Sequence, residues 1–326
     1  MSVPWWAWPS VLAVILLMLA VDLRAHRVAH VVGVREAARW TVVWVVLGLA
    51  FGAVVLVAWG PQAGGEYFAG YLIEKSLAVD NVFVFALLFG YFGVPRAYQH
   101  RVLFFGVLGA LVFRAVFIAA GAALIDRFHV VLYLFGAFLV ATAVKMARHR
   151  GVSVHPERNV AVRLLRRILP VTPDYRGSRF LVRQSGRLVA TPLLAALVVV
   201  ETSDILFAVD SIPAIFAVTS EPFLVFTSNA FAILGLRALY FLLADLMDRF
   251  VYLNVGLAVV LGWVGAKMLL VDVVHVPIGL SLAVIAVTLA VAVLASLRAT
   301  RSALDRPRHE PADEVAPEHD VDQQGR

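Results

Sequence analysis

Apolar residues along the chain gather into nine runs, at roughly 7–23, 40–59, 67–93, 102–125, 129–147, 189–219, 225–246, 249–271 and 276–297. A helix that crosses a bilayer needs about 20 consecutive, mostly apolar residues, and each run approaches or exceeds that length. The pattern predicts an all-α polytopic membrane protein with about nine transmembrane helices. Trp5, Trp6 and Trp8 stand at the start of the first run, with no basic stretch and no small-residue cleavage site. That run therefore reads as a retained helix with an interfacial tryptophan belt, not a cleaved signal peptide.

The polar stretches between runs are arginine-rich. Arg24, Arg27, Arg35 and Arg39 follow the first run, Arg96 and Arg101 the third, and Arg298 and Arg301 the ninth. The long segment 148–188 holds Arg148, Arg150, Arg158, Arg163, Arg166, Arg167, Arg176, Arg179, Arg183 and Arg187 against Glu157 and Asp174. Nine crossings place all four stretches on one side. Basic loops stay cytoplasmic, so the N-terminus is expected outside and the C-terminus in the cytoplasm. Segment 148–188 is too small for a core of its own; its stretch 180–189 alternates around Ser185-Gly186 and predicts a short hairpin. The chain thus divides into a transmembrane domain over 1–299 and a tail over 300–326. The tail is charged, carries Pro307, Pro311 and Pro317, and is expected to be a disordered cytoplasmic extension.

Composition sharpens the class. Hydrophobic residues make up 61% of the chain and charged residues 15%, against about 45–50% and 25% in soluble domains. Mean hydropathy is +0.87. The formal charge of +6 sits in loops beside apolar runs, which is a topology signal and not a nucleic-acid footprint. The absence of cysteine excludes disulfides, thiolate metal sites and cysteine nucleophiles. No Ser–His pair, nucleotide-binding loop or Gly-x-Gly-Asp signature appears, so an enzyme is not expected.

The chain repeats itself. Leu77-Ala-Val-Asp80-Asn81 in the third run recurs as Phe207-Ala-Val-Asp210-Ser211 in the sixth, and six residues before each Asp stands a further acid, Glu74 or Asp204. Phe113-Arg114-Ala-Val-Phe117 is echoed by Leu236-Arg237-Ala-Leu-Tyr240, and Ala143-Val-Lys145-Met146 by Gly265-Ala-Lys267-Met268. Runs 3–5 and 6–8 therefore read as two copies of a three-helix unit. An odd number of crossings per copy inverts one copy relative to the other, the arrangement of many secondary transporters, whose substrate sites lie near the midplane.

Charges inside a bilayer cost at least about 2.5–3.5 kcal/mol each and face the protein interior. Here they are Glu74, Lys75, Asp80, Arg114, Glu201, Asp204, Asp210 and Arg237. Five acids less three bases leave −2, the charge that one divalent cation, or protonation, cancels. Arg114, Arg237 and Lys75 read as charge-pairing groups, the two arginines each neutralising an acid and pinning helices. Asp22 and Glu66, near run ends, are expected to be solvated, and Lys145 and Lys267 to snorkel. At 100° per residue Glu74 shares a stripe with Asn81 and Asp204 with Ser211, while Asp80 and Asp210 lie about 120° away. Pro213 predicts a break near Asp210 that frees the Val209 carbonyl. The available donors are oxygens: carboxylates, Asn81, Ser203, Ser211 and carbonyls. Such sites suit Mg²⁺, Ca²⁺ or Mn²⁺.

Tyr71-Leu-Ile-Glu-Lys-Ser-Leu-Ala-Val-Asp-Asn-Val-Phe83, the stretch Glu201 to Phe216 and Thr227-Ser-Asn-Ala-Phe-Ala-Ile-Leu-Gly-Leu-Arg-Ala-Leu-Tyr240 resemble the TerC family in its Alx-like branch. The resemblance covers nearly the whole chain from Val11 to the ninth run. It implies a plasma-membrane protein of metal homeostasis, built on inverted three-helix repeats, with manganese export as its activity. The family's acidic motif carries over to Glu74, Asp80, Asn81, Glu201, Asp204, Asp210 and Ser211 as metal-site residues. The expected function is Mn²⁺ efflux by alternating access, with proton antiport through the same acids. Mn²⁺ is then the transported substrate and no resident cofactor is expected. The expected partners are a divalent metal ion and the lipid bilayer, not nucleic acid. The other class in view is a membrane scaffold for tellurite-type stress resistance or membrane-protein insertion, acting through the basic loop. Gly106, Gly109, Gly121 and Gly136 permit close helix packing, within or between protomers.

Overall fold

The computed structural model describes residues 3–25, 32–128, 130–148, 160–184, 186–244, 252–274 and 276–304. Its elements are α1 (Ala7–Ala25), α2 (Val34–Phe92), α3 (Arg96–Arg127), α4 (Val130–Arg148), α5 (Val160–Ile168), β1 (Leu181–Gln184), β2 (Arg187–Ala190), α6 (Pro192–Phe216), α7 (Pro222–Leu234), α8 (Leu236–Leu243), α9 (Leu253–Leu269) and α10 (Ile278–Leu304). Among the described residues, six helices are long and apolar enough to cross a membrane, and seven when α7 and α8 count as one bent crossing. The protein is an all-α polytopic membrane protein.

The 59 residues of α2 would make a rod of about 88 Å, nearly three times the thickness of a bilayer core. The chain avoids this by folding α2 back on itself. Gly60 alone leaves the helical region, at φ 90° and ψ 177°, and Pro61 follows it. A side chain at that positive φ is disfavoured, and the proline starts the second limb at a position that needs no N–H donor. The limbs, 34–59 and 61–92, run antiparallel. A Cβ on Gly48 would lie 2.6 Å from the Tyr71 ring, one on Gly52 2.4 Å from Phe68, and one on Gly64 2.8 Å from the Leu56 Cβ. The Tyr67 hydroxyl donates to the Gly48 carbonyl at 2.9 Å. The two limbs coincide with the second and third apolar runs. With α9, only 17 residues long, and the bent α7–α8 pair, the helical units follow the nine runs in order.

Two local expectations are corrected. The seventh run is not one helix: it breaks at Gly235, and α7 and α8 meet there at 41°. Conversely, α6 runs unbroken through Asp210. Pro213 lies in its last turn; it withholds an N–H from the Val209 carbonyl, yet the helical backbone continues past it to Phe216.

Residues 223–234 of α7 are all buried, the mark of a central helix surrounded on every side. It packs on α2 and α3, while α3 packs on α6 and α4 on α9. The small residues serve these contacts inside the chain. A Cβ on Gly106 or Gly121 would press on Val200 or Phe216 of α6, and one on Gly136 would lie 3.0 Å from the Gly265 carbonyl oxygen.

Between α4 and α6 the basic segment is partly built. β1 and β2 form the expected antiparallel hairpin, with Leu181 opposite Ala190. It is fastened to the helix ends. Tyr175 donates to the Phe92 carbonyl at 2.6 Å, Arg101 to Ser178 Oγ at 2.8 Å, and Thr191 Oγ1 to the Arg179 carbonyl at 2.7 Å. Residues 149–159 of the segment and 305–326 of the tail lie outside the described residues. α10 itself continues to Leu304, past the tail boundary set at 300.

Candidate functional site

The middle of the bundle is organised around one guanidinium. Arg114, on the buried face of α3, is 1% exposed. Its Nη1 donates to Glu74 Oε1 of the second α2 limb, and to Ser211 Oγ of α6 at 3.2 Å. Its Nε and Nη2 donate to Asp204 Oδ2 and Oδ1 at 3.3 and 3.4 Å. Glu74 and Asp204 are 0% and 2% exposed. Three helices are therefore joined by a fork that takes one acid from each of its two neighbours. A guanidinium suits this place because it stays charged and presents several donors in one plane.

The balance is uneven. Two acids share one base, and Glu74 Oε2 is buried without a hydrogen-bond partner. Glu201, one turn before Asp204 on α6, adds a third carboxylate, and its Oε2 is likewise buried without a partner. Glu201 lies against α3 at Gly109, where a Cβ would stand 2.1–2.4 Å from its carboxyl atoms. Only glycine leaves that room. Asn81 is buried two turns beyond Glu74 on the same stripe, its Nδ2 unpartnered.

Other expected residues stand apart. Asp210 is half-buried and accepts a hydrogen bond from Thr142 of α4 at 3.3 Å. The side chain of Asp80 lies outside the described residues. Arg237 does pin helices, but its partner is Asp22 of α1. Asp22, expected to be solvated at a run end, is buried because α1 packs against α7. Lys75 was expected to pair with an acid. Among the described residues its partner is the Ala232 carbonyl, at 3.0 Å. The physical reason is the break at Gly235: the last carbonyls of α7 lose their helical N–H donors, and the ammonium donates in their place. A Cβ on Gly235 would lie 2.8 Å from Trp44 Cβ and 3.2 Å from Lys75 Nζ. Glu66 accepts from Gln62 at 3.1 Å. Lys145 is exposed and Lys267 half-buried, both in the last turns of their helices.

Thr142 and Gly235 went unrecognised in the sequence, and Gly109 was read there only as a packing residue. Gly235 carried a usable signal, since it interrupts an apolar run two residues before a buried arginine.

No three His, Asp or Glu side chains stand at metal-binding spacing among the described residues. In this conformation the place between Glu74 and Asp204 is held by Arg114. Two cavities open at opposite ends of the second α2 limb. One, of about 560 Å³, is bordered by Trp59, Gln62, Glu66, Thr219 and Glu221. The other, of about 490 Å³, is bordered by Phe89, Gly90, Gln99 and Tyr240. Glu74 lies on the limb between them, and none of the Arg114 cluster borders either.

Fold and site together define a polytopic membrane protein with a salt-bridged carboxylate cluster at its centre. Residues 59–304 match the model of the integral membrane protein TerC family. The chain belongs to that family. It is 52% identical over 297 residues to a Myxococcus xanthus protein named "Uncharacterized membrane protein STKORF319", covering 91% of this chain and 93% of the relative. It is 51% identical over 289 residues to an Escherichia coli K12 protein provisionally named membrane-bound redox modulator Alx, covering 85% and 90%. A Rickettsia bellii membrane protein is 36% identical over 292 residues, covering 89% and 97%. No solved structure matches the chain.

Proposed function

We propose that this protein exports a divalent metal ion, Mn²⁺, across the plasma membrane by alternating access, with Glu74 and Asp204 as the central ligands. The observation that carries the reading is the Arg114 clamp: two fully buried carboxylates from different helices held by a cation that belongs to the protein. Buried acids at mid-membrane need a positive partner, and an arriving divalent ion is a stronger one than a single guanidinium. Glu74 Oε2, Asn81 and Ser211 add oxygen donors, the hard set that suits Mn²⁺, Mg²⁺ or Ca²⁺. The choice of manganese follows the family resemblance.

Ion entry then requires Arg114 to leave. Glu201 stands one turn before Asp204 on α6, beside the acid that Arg114 already bonds. Glu201 waits there with an unpartnered oxygen. Arg114 therefore exchanges between two stations: Glu74 and Asp204 when no ion is bound, Glu201 when one is. Proton antiport uses the same group, with Glu201 protonated while Arg114 is away and deprotonated when it arrives. The cavities at the two ends of the α2 limb are the inner and outer vestibules of this cycle.

The inverted-repeat reading fits the packing of α4 on α9. Lys145 aligns with Lys267 at an offset of 122, the difference of the two numbers. That offset carries the pair Ala143–Gly262 onto Gly265–Val140. A Cβ on Gly262 would lie 3.6 Å from Ala143 Cβ, and one on Gly265 2.9 Å from Val140 Cγ2. A two-fold axis between the copies produces such exchange.

The deciding measurement is elemental analysis of manganese-loaded cells with no copy, the native protein or Asp204→Asn. A selective fall in cellular manganese with the native protein, lost in the variant, supports export through this site. Equal metal contents, with the protein present in the membrane, overturn it. The chain has no cysteine, so a redox role of the kind named for its relatives does not run through its own thiols.

A further inference from the structure

We propose that α5 is an interfacial helix that, with the adjoining β-hairpin, binds acidic phospholipid headgroups of the leaflet at the start of α6. The helix has two apolar faces with different fates. One face packs on α6, with Val162 only 3% exposed. The other is bare: Val160, Leu164 and Ile168 are 71%, 54% and 68% exposed. At 100° per residue these three form a stripe roughly 80° wide. Arg163 and Arg167 are exposed along one edge of it. An apolar stripe edged by arginines on a short helix is the pattern of a helix lying in the headgroup plane, where arginine stems follow the apolar surface and their heads reach phosphate.

Position says what covers the stripe. The segment after α5 runs directly into the base of α6. The Ala190 N–H donates to the Pro170 carbonyl and the Thr172 N–H to the Ala190 carbonyl, both at 2.9 Å. Two residues after Ala190, α6 begins, a helix long and apolar enough to cross a membrane. α5 is thereby held at the level where apolar core gives way to headgroups, and its bare face has the bilayer as its neighbour.

Charge says which lipid. The hairpin beside α5 adds exposed Arg176, Arg179, Arg183 and Arg187, against exposed Asp174. Each basic residue near an anionic leaflet strengthens attachment, and Arg forks bind phosphate in two-point fashion. A second copy seated on the same face would set arginines against arginines, so the surface suits an anionic lipid better than itself.

The test uses the absence of native cysteine. Full-length protein carrying a single Val160→Cys, Leu164→Cys or Ile168→Cys is spin-labelled and placed in nanodiscs of zwitterionic lipid alone or with one-third phosphatidylglycerol. Collision with oxygen and with a water-soluble nickel chelate then reports where each label lies. All three labels are expected to be oxygen-accessible and nickel-protected, with nickel access at least twofold lower in the acidic discs. Arg163→Gln with Arg167→Gln should remove that dependence on acidic lipid while the labels stay in the interface. Labels freely open to nickel in both discs overturn the proposal. Labels closed to both reagents overturn it as well, since a protein surface, a second copy or another partner, then covers the stripe. Insertion that is equal in both lipids refutes the headgroup assignment.

Discussion

Replacing Arg114 by Gln tests the clamp directly. Gln keeps part of the volume and some hydrogen bonding but removes the only cation bonded to Glu74 and Asp204 among the described residues. Removing one partner of a buried ion pair costs about 3–5 kcal/mol, because the remaining charges stay buried. A change of 1 kcal/mol moves the melting midpoint by about 2–4 °C in chains of 150–250 residues, so the metal-free variant is expected to melt on the order of 10 °C below the native protein. Metal should act in the opposite direction. In the proposed cycle an entering ion displaces Arg114, and Glu201 returns only part of that loss. If about half is returned, roughly 2 kcal/mol remains, or about thirtyfold in affinity at 1.4 kcal/mol per decade. Titration calorimetry in nanodiscs should therefore show Arg114→Gln binding Mn²⁺ about thirtyfold more tightly than the native protein, with Mn²⁺ recovering most of the lost melting temperature. Export should nonetheless fall, since nothing in the variant expels the ion. A variant that binds Mn²⁺ no better than native, while melting at the same temperature, refutes the surrogate-cation argument. A native protein with no Mn²⁺ binding at all refutes the metal reading itself, a different failure.

Further outcomes follow from single contacts. Gly109→Ala places a methyl group within 2.1–2.4 Å of the Glu201 carboxyl atoms; export should drop at least tenfold while the protein still reaches the membrane, as checked by surface labelling and vesicle flux. Gly235→Ala meets the Trp44 Cβ at 2.8 Å and should cost about 1–3 kcal/mol, read as a lower melting midpoint. Lys75→Met leaves the Ala232 carbonyl without its donor, expected to cost about 1–3 kcal/mol as for any buried unsatisfied acceptor, and the double variant should cost less than the sum because both changes act on one break. In proteoliposomes, Mn²⁺ flux should accelerate when the opposite compartment is made acidic; flux indifferent to an imposed pH gradient excludes antiport. Replacing 160–190 with a neutral linker of equal length should leave Mn²⁺ flux within about twofold of native, whereas a scaffold would lose its function.

Much of this architecture was readable from the sequence because a bilayer imposes strong rules. Run length located the helices, and alternation around Ser185-Gly186 located the hairpin. The matched motifs brought Glu74, Asp204 and Ser211 into view before their shared partner was known. What escaped notice depends on helix rotation and on neighbours distant in the chain. The cost of a buried charge says that Arg114 and Arg237 must be compensated, but not by which acid; that is settled by which faces meet. Asp22 looked like a solvated run end until α1 packed on α7. Pro213 looked like a break, and its effect was small because it lies in a final turn. Gly235 did break its helix, although glycine is the weaker signal, at a point where Trp44 and Lys75 from α2 leave little room for a Cβ.

The two arginines that the proposed repeat makes equivalent have different partners, and this asymmetry carries a functional consequence. Arg114 is bonded to Glu74 from one proposed copy and to Asp204 from the other, so any rocking of the copies changes its environment directly. Arg237 is bonded to Asp22 on α1, a helix outside both copies. In the proposed cycle it ties the second copy to α1. The proposed cycle therefore puts one arginine at its moving seam and the other at an anchor. On this argument Asp22→Asn, which cuts the anchor, should destabilise the protein by about 3–5 kcal/mol as a broken buried pair does, yet leave Mn²⁺ affinity within about threefold of native. Glu74→Gln should do the reverse, leaving a balanced Arg114–Asp204 pair with little loss of stability and an affinity lower by at least tenfold. Melting curves and calorimetry on the two variants separate the roles. If both variants lose affinity to the same degree, the two arginines serve one site and the division into seam and anchor is wrong.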